Sequence, residues 1–553
     1  MQKIKVNLIP SGLPVACYSS QYDEGRVIRC ELYNGLQPYT LQENDVVTLN
    51  LRKPDNHVVT ATLNSTAGNK YVDLVTSEQM TAVFGVNKCL LKITNTGIEV
   101  GTAEFLMFVQ KDVIANGDPS ESVIEGLDEQ VTAIALAEVQ EILQDYSIDY
   151  FPSDKYWQDN ALYKRIFRTV DGIRTDFDVS ELKPANGKTY FIAPNGNDSN
   201  TGEDKEHPLQ KLSTAIAKED VNTIIVMDGI YNLGRVGGSF TKGVNIIADE
   251  NAKPVFVMSR DKTWSATAGK TNVYQTTDSA NTYYGVVRLN ARDNDGDFIN
   301  YTLVASIDDV ETTENSYYVS DHDIYIHSEN TPQKVYVLVS GVNVHATLSN
   351  GETLYIEGCE FVGGNYGGVR VTNGGTAKPL VLLKNCGFSH SYLGNAMYLQ
   401  GCSGIIQNCY ASYGASDGFN YHLSGDAIPD SIEINCIGRH NGTEGNNTNN
   451  GSTMHDGGKI IRLNCEYFDN IGPNLADVSE STRSYNYGVV SHDSAGASTN
   501  KTGFQCQMGT MYNDTCASYN NGYEFQVYNG GELRQKNCSG AVTVLDTAKL
   551  RAY

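Results

Sequence analysis

Asn385-Cys386, Asn408-Cys409, Asn435-Cys436 and Asn464-Cys465 repeat one dipeptide at intervals of 23, 27 and 29 residues. Gly358-Cys359 comes 27 residues earlier, and Thr515-Cys516 and Asn537-Cys538 follow at steps of 51 and 22. One coil of a β-solenoid uses about two dozen residues, so each Cys marks one turn and the step of 51 marks two. Strands stacked in such a coil lie about 4.7–4.9 Å apart. A small thiol packs in an inward column at that spacing without forming a bond. The repeat therefore reads as core packing in a parallel β-helix, not as a disulfide framework or a metal site. Cys402 and Cys506 stand outside this register and need another explanation.

The register predicts a second column. Four residues after the Cys stand His390, Tyr413, His440, Asp469 and Asn520, with Gly363 and Val542 at the ends. Turn chemistry alone favours polar residues there, so stacking and simple turn formation are both open. Five of the ten histidines, His390, His422, His440, His455 and His492, fall in this stretch. They lie near Ser416-Asp417-Gly418-Phe419-Asn420-Tyr421-His422, Met454-His455-Asp456-Gly457-Gly458 and Ser491-His492-Asp493, at expected loop-to-strand junctions.

Toward the N-terminus, Thr189-Tyr190-Phe191-Ile192 leads through Ala193-Pro194-Asn195-Gly196-Asn197-Asp198-Ser199-Asn200-Thr201-Gly202 to His207-Pro208-Leu209-Gln210-Lys211-Leu212. A helical Ser213-Thr214-Ala215-Ile216-Ala217 follows. This stretch resembles the start of pectate-lyase-like right-handed parallel β-helices, where a helix caps the open end of the first coil. A cap is needed because a bare solenoid end exposes apolar side chains and unpaired strand edges. The resemblance implies a β-helix from 188 to 553. Residues from about 255 to 340 break the rhythm and read as a small inserted β module. Within it, Asp293-Asn294-Asp295-Gly296-Asp297 starts with calcium-loop spacing but lacks the distal Glu, and reads as a polar hairpin turn.

Residues 1–115 alternate short β-type runs, such as Val46-Val47-Thr48-Leu49-Asn50-Leu51 and Val58-Val59-Thr60-Ala61-Thr62-Leu63, with turns such as Lys53-Pro54-Asp55-Asn56. That is the pattern of a β-sandwich. Ile9-Pro10-Ser11-Gly12, Ser20-Gln21-Tyr22-Asp23 and Ala103-Glu104-Phe105 resemble the N-terminal domain of the phage baseplate upper protein family; another sandwich type stays open. In 116–150, Ile124, Leu127, Val131 and Ile134 keep a/d spacing, and Val139, Ile142, Leu143 and Tyr146 continue after a phase shift. We expect a helix over Ser120–Tyr146 that forms a short trimeric coiled coil or packs on its own chain. Residues 151–187 form a connector. The expected class is mainly β: an N-terminal β-sandwich, a coiled-coil helix and a right-handed parallel β-helix.

The formal net charge is −24, and no Lys/Arg cluster stands out. Neither nucleic acid nor an anionic membrane surface is then an expected partner. The first twenty residues lack an apolar core, so the chain reads as made in a cytoplasm. The baseplate resemblance implies a tail-tip protein of a virion, assembled in the host cytoplasm. It would dock on other tail or baseplate proteins through its N-terminal domain, form a homotrimer and meet a host surface glycan. We expect no cofactor and no metal.

Cleavage of that glycan needs a proton donor and a second carboxylate, roughly 5–5.5 or 6.5–9.5 Å apart. Asp417 and Asp456 are the candidates, with His422 or His455 tuning or replacing one of them. Ser416-Asp417-Gly418-Phe419 resembles one motif of polygalacturonase-type hydrolases, although that family's paired aspartates and Gly-His-Gly are not evident. A lyase needs a cation facing an acidic sugar and ranks lower on this acidic chain. For binding alone, Tyr413, Tyr421, His440, Asp469, His492 and Asp493 are the candidates, along with Tyr398, Tyr410, Tyr467, Tyr485 and Tyr487. A free polysaccharide-degrading enzyme with an N-terminal binding module, or a structural spacer, are the competing readings.

Overall fold

The computed structural model describes residues 2–8, 15–34, 37–111, 123–124, 146–147, 155–169, 172–185, 187–232, 238–260, 262–278, 285–365, 367–442, 448–496 and 501–552. The chain divides into two compact units, Met1–Asp176 and Phe177–Tyr553.

In the first unit a four-stranded sheet (Gln2–Asn7, Val27–Asn34, Gln37–Pro38, Tyr71–Val75) packs on a six-stranded one that includes Val15–Ser20, Asp45–Arg52, Val58–Leu63, Gly85–Asn95 and Ile98–Gln110. Burial alternates along Val27–Asn34, as a strand with one covered face requires. Ile4, Ile28 and Leu32 from one sheet meet Cys17, Leu49 and Leu91 from the other in a single core. The Ile9–Gly12 motif lies outside the described residues. So does most of the helix expected over Ser120–Tyr146. At its two ends the chain is extended instead: Val123–Ile124 pairs parallel with Val58–Leu63, and Tyr146–Ser147 pairs antiparallel with Ile166–Thr169.

The second unit is a parallel β-helix. Each coil visits three faces in turn. Among the described residues the first face has twelve strands, from Lys188–Ile192 to Lys549–Ala552. The second has nine, from Ile230–Tyr231 to Ala517–Tyr519, and the third has ten, from Gly238–Phe240 to Val542–Val544. Neighbouring strands on each face run parallel. Leu212, Ala215 and Ile216 of the helix Leu212–Ile216 close the first coil and are buried against the same core as Tyr190 and Leu209. Gly202 sits there at φ +77°, where a Cβ would meet Leu209 Cγ at 2.7 Å.

The turn from first to second face explains the repeated dipeptide. The residue before each Cys adopts a left-handed conformation: φ is 53° at Asn385, 54° at Asn408, 52° at Asn435, 50° at Asn464 and 54° at Asn537. Asn and Gly tolerate that region best. The Asn side chains also bond from coil to coil, Asn408 Nδ2 donating to Asn385 Oδ1 (3.2 Å) and Asn435 Nδ2 to Asn408 Oδ1 (3.0 Å). The double step is resolved as well. Gly488, at φ 63°, precedes a fully buried Val489, which takes the thiol's place in the coil between Cys465 and Cys516. All twelve cysteines are unbridged, and all but the half-buried Cys538 are buried. Cys506 faces inward on the third face, and Cys402 lines the turn from third to first face, donating to Gln400 O (3.2 Å).

After Val255–Val257 the chain leaves the solenoid. The described residues between Ser259 and Leu338 form a four-stranded and a five-stranded sheet, mostly antiparallel, with a small core around Val286, Tyr301, Ile324 and Ile326.

A candidate glycan site on the third face

Strand parity sorts the candidate residues. In Phe419–His422, Phe419 and Tyr421 point into the lumen, while Asn420 and His422 point outward. Register then aligns outward residues coil by coil: Arg370 with Tyr398, Asn420 and Thr453, and Thr372 with Gln400 and His422. Gln400 Oε1 accepts from Arg370 Nη2 (3.0 Å) and Thr372 Oγ1 (3.1 Å). The Arg370 guanidinium lies 5.5 Å from the Tyr398 ring centre, and that ring meets His422 edge-on at 5.7 Å.

The four residues named for catalysis gather at this patch. Asp456, in the turn after Ser452–Met454, accepts from Leu423 N (3.1 Å) and pairs with His422 Nδ1 (2.9 Å). His455 stacks on His422 with ring centres 3.9 Å apart. Asn420 Nδ2 lies 3.5 Å from His455 Nε2 and donates to Asp417 Oδ2. Asp417 Oδ1 accepts from Asn450 N (2.8 Å). Burial pushes the Asp417 carboxyl up to about 6, against the opposing pull of the Asn450 amide and Asn420. Burial and the neighbouring His422 ring push His455 down to about 3. At Asp456 burial raises the carboxyl, but the Leu423 amide and His422 outweigh it and leave it below its ordinary range. The patch thus holds a carboxyl that keeps its proton toward neutrality, beside an ionised one that orients a histidine.

Apart from Tyr398, which lies in this patch, the residues named for sugar binding fall elsewhere. Tyr421 is a correction: fully buried in the lumen, it donates to Glu433 Oε1 (2.8 Å) and cannot reach a glycan. Tyr467, Tyr485 and Tyr487 are likewise buried. Glu433 also accepts from Ser452 Oγ (2.7 Å) and Tyr467 OH, while the fully buried Arg462 pairs with Asp477 (3.0 Å). Glu433, Cys436 and Cys465 come close enough to share a cation. These three hydroxyl donors already account for the carboxylate of Glu433.

Tyr413, His440, Asp469, His492 and Asp493 lie at the end of the second face. Tyr413, His440, Asp469 and Asp493 all have positive φ, so turn geometry accounts for their places. The rings also stack: His390 on Tyr413 (4.9 Å), Tyr413 on His440 (5.2 Å), Phe468 on His492 (4.9 Å) and His492 on Tyr519 (5.0 Å). Rings that cover each other's faces leave only edges to solvent, which is poor ground for stacking a sugar. The inserted module claims the upper end: His440 pairs with Asp295 (3.0 Å), and Asp297 is buried against Arg439 (2.8 Å) and Ser412 (2.7 Å). Asp293 accepts from the Asp295 and Asp297 amides, so the Asp-rich stretch is a polar hairpin turn. Burial lowers His492, but Glu466 and Asp493 on its two nitrogens outweigh that and raise it above its ordinary value.

Sequence reasoning passed over Asn420, Arg370 and Gln400. The available signal was parity, since Asn420 sits two residues before His422 and so shares its outward side.

Among solved structures the chain is similar to the N-terminal domain of phage TP901-1 ORF48, at 18% identity over 20% of this chain and 98% of that one (TM-score 0.17). It is similar to XylC in complex with xylose at 12% identity, over 65% of this chain and 70% of that one (TM-score 0.34). It is also similar to pectate lyase Pel9A at 16% identity, over 66% and 78% (TM-score 0.32). No family model matches the chain, and no characterised protein sequence does. At these identities and scores the likenesses bear on neither substrate nor reaction.

Proposed function

We propose that this chain is a bacteriophage tail-tip component that binds a host surface glycan through the third face of its β-helix. The observation that carries the glycan reading is the outward patch of Arg370, Tyr398, Gln400 and His422. It places an aromatic ring, an amide, an imidazole and a guanidinium side by side on adjacent coils, which is the mix of apolar face and fixed polar groups that a sugar requires. Rungs on rigid strands hold such groups in place before the ligand arrives. The tail assignment rests on the resemblance of residues 1–115 to the baseplate upper protein family. In this reading the N-terminal sandwich docks on other tail proteins, and three copies give three glycan sites whose avidity offsets weak single-site affinity.

Retention of the full chain on a panel of purified bacterial capsular and cell-wall polysaccharides tests the site. Tyr398→Ala and Arg370→Ala should each weaken binding about tenfold, the scale of one lost stacking or charged contact. Tyr519→Ala, on the second-face ladder, should leave it unchanged. Equal binding by wild type and the third-face variants contradicts the placement.

A further inference from the structure

Two groups on the third face are set up for opposite proton work. His422 has Nδ1 held by Asp456 at 2.9 Å, about a third of its side chain is exposed, and no described residue bonds its Nε2. A carboxylate on one imidazole nitrogen fixes the tautomer and leaves the other nitrogen as a base. Asn420 and His422 are outward neighbours two residues apart on one strand, so their Cα atoms are separated by about 7 Å. The Asp417 carboxyl is bonded to the Asn420 amide, and an acid paired with a base that activates a water is the arrangement of an inverting glycosidase.

Asn420 supplies an independent observation. Its side chain is buried, yet its Oδ1 has no hydrogen-bond partner among the described residues. Its Nδ2 donates to Asp417 Oδ2, which favours the ionised carboxylate.

We propose that the third-face cluster hydrolyses the glycan it binds, with inversion at the anomeric carbon, Asp417 acting as the acid and the Asp456-held His422 as the base. Asp417 gives its proton to the glycosidic oxygen as the bond from that oxygen to the anomeric carbon breaks. A water on the opposite side forms the new carbon–oxygen bond and gives its proton to His422 Nε2. The imidazolium, stabilised by Asp456, returns that proton to solvent, and Asp417 takes one back. Glycoside and water become a free hemiacetal and an alcohol. Asn420 is a positioning residue whose amide donates to the Asp417 carboxylate.

This activity rests on the binding reading above, and one experiment separates the two. The full chain is incubated with each polysaccharide it retains; new reducing ends are counted and the first-formed anomer is followed by proton NMR. Wild type should release reducing ends of inverted configuration, falling away as the pH rises through about 6, where Asp417 loses its proton. Asp417→Asn should cut the rate at least about 100-fold with binding intact, and His422→Gln and Asp456→Asn about 10- to 100-fold. Asn420→Ala should move the alkaline limb of the pH profile to higher pH, because the ionised Asp417 carboxylate loses a donor that favours it; movement to lower pH overturns that role. Thermal melts of each variant separate lost chemistry from lost folding. Retained glycan with no new reducing ends, with retained configuration or with unsaturated ends overturns the hydrolysis and leaves the binding reading standing. A panel from which nothing is retained overturns both.

Discussion

At Asp417 the fold holds a carboxyl where its charge is disfavoured. In the unfolded chain the group titrates near 3.9; in the fold, burial moves it to about 6. Between those values the folded state holds a proton that the unfolded state has released. The stability from this proton is complete below about pH 4 and is lost as pH rises through about 6, a change of roughly 3 kcal/mol. Asp417→Asn removes that loss. In denaturant unfolding, variant and wild type should match near pH 4, and the variant should be the more stable at pH 7. His455, pushed down to about 3, works with the opposite sign: its contribution is present above about 6.5 and is lost as the pH falls through about 3. The wild-type-minus-variant difference isolates Asp417; a difference that does not change with pH contradicts the protonated carboxyl. Asn408 offers a backbone counterpart. With φ at 54° and its amide bonded into the ladder, Asn408→Ala should cost about 1–3 kcal/mol. Asn408→Gly, free to adopt that φ, should cost less, and urea unfolding of both variants checks the order.

The elements show which parts of the structure were legible in the chain. Asn408-Cys409 and its repeats are readable because one rigid turn imposes two demands, a left-handed residue and a small inward one, on every coil. The double step to Cys516 is the same turn met by Gly488-Val489, which the eye misses because neither residue type repeats. Tyr421 could not be placed from sequence. A tyrosine suits a solvent face as well as a lumen, and only the lumen acid Glu433 explains why it points inward. The pairing of His422 with Asp456 was equally hidden, since 34 residues separate them and only coil-to-coil register brings them together. The lumen network carries a prediction of its own. Arg462 is fully buried with Asp477, near Glu433. Arg462→Met leaves buried carboxylates uncompensated and should destabilise the solenoid by about 3–5 kcal/mol. The double variant Arg462→Met/Asp477→Leu should recover part of that. Equal loss in both, read by thermal unfolding, would mean the network stabilises through packing and not through charge.

For the whole molecule, the stacked coils decide which residues share a surface, so the candidate site stands or falls with the tower. Twelve strands on the first face at about 4.8 Å per step give a stack of roughly 50 Å. Its outward columns are where side chains far apart in sequence become neighbours. In the proposed assembly three chains of 60.5 kDa form one particle, and light scattering should return a mass three times that of the chain; a monomer contradicts the trimer. The account's central claim is that regularly spaced thiols line the interior of a single column of coils. Reaction of the native chain with an aromatic disulfide reagent, without prior reduction, tests it directly. Cys538, half-buried at the last of the thiol turns, should react first and nearly alone, and all twelve should react once the chain is denatured. Several solenoid thiols reacting at once in the native protein, or fewer than twelve appearing on denaturation, would contradict the column and the site built on its flank.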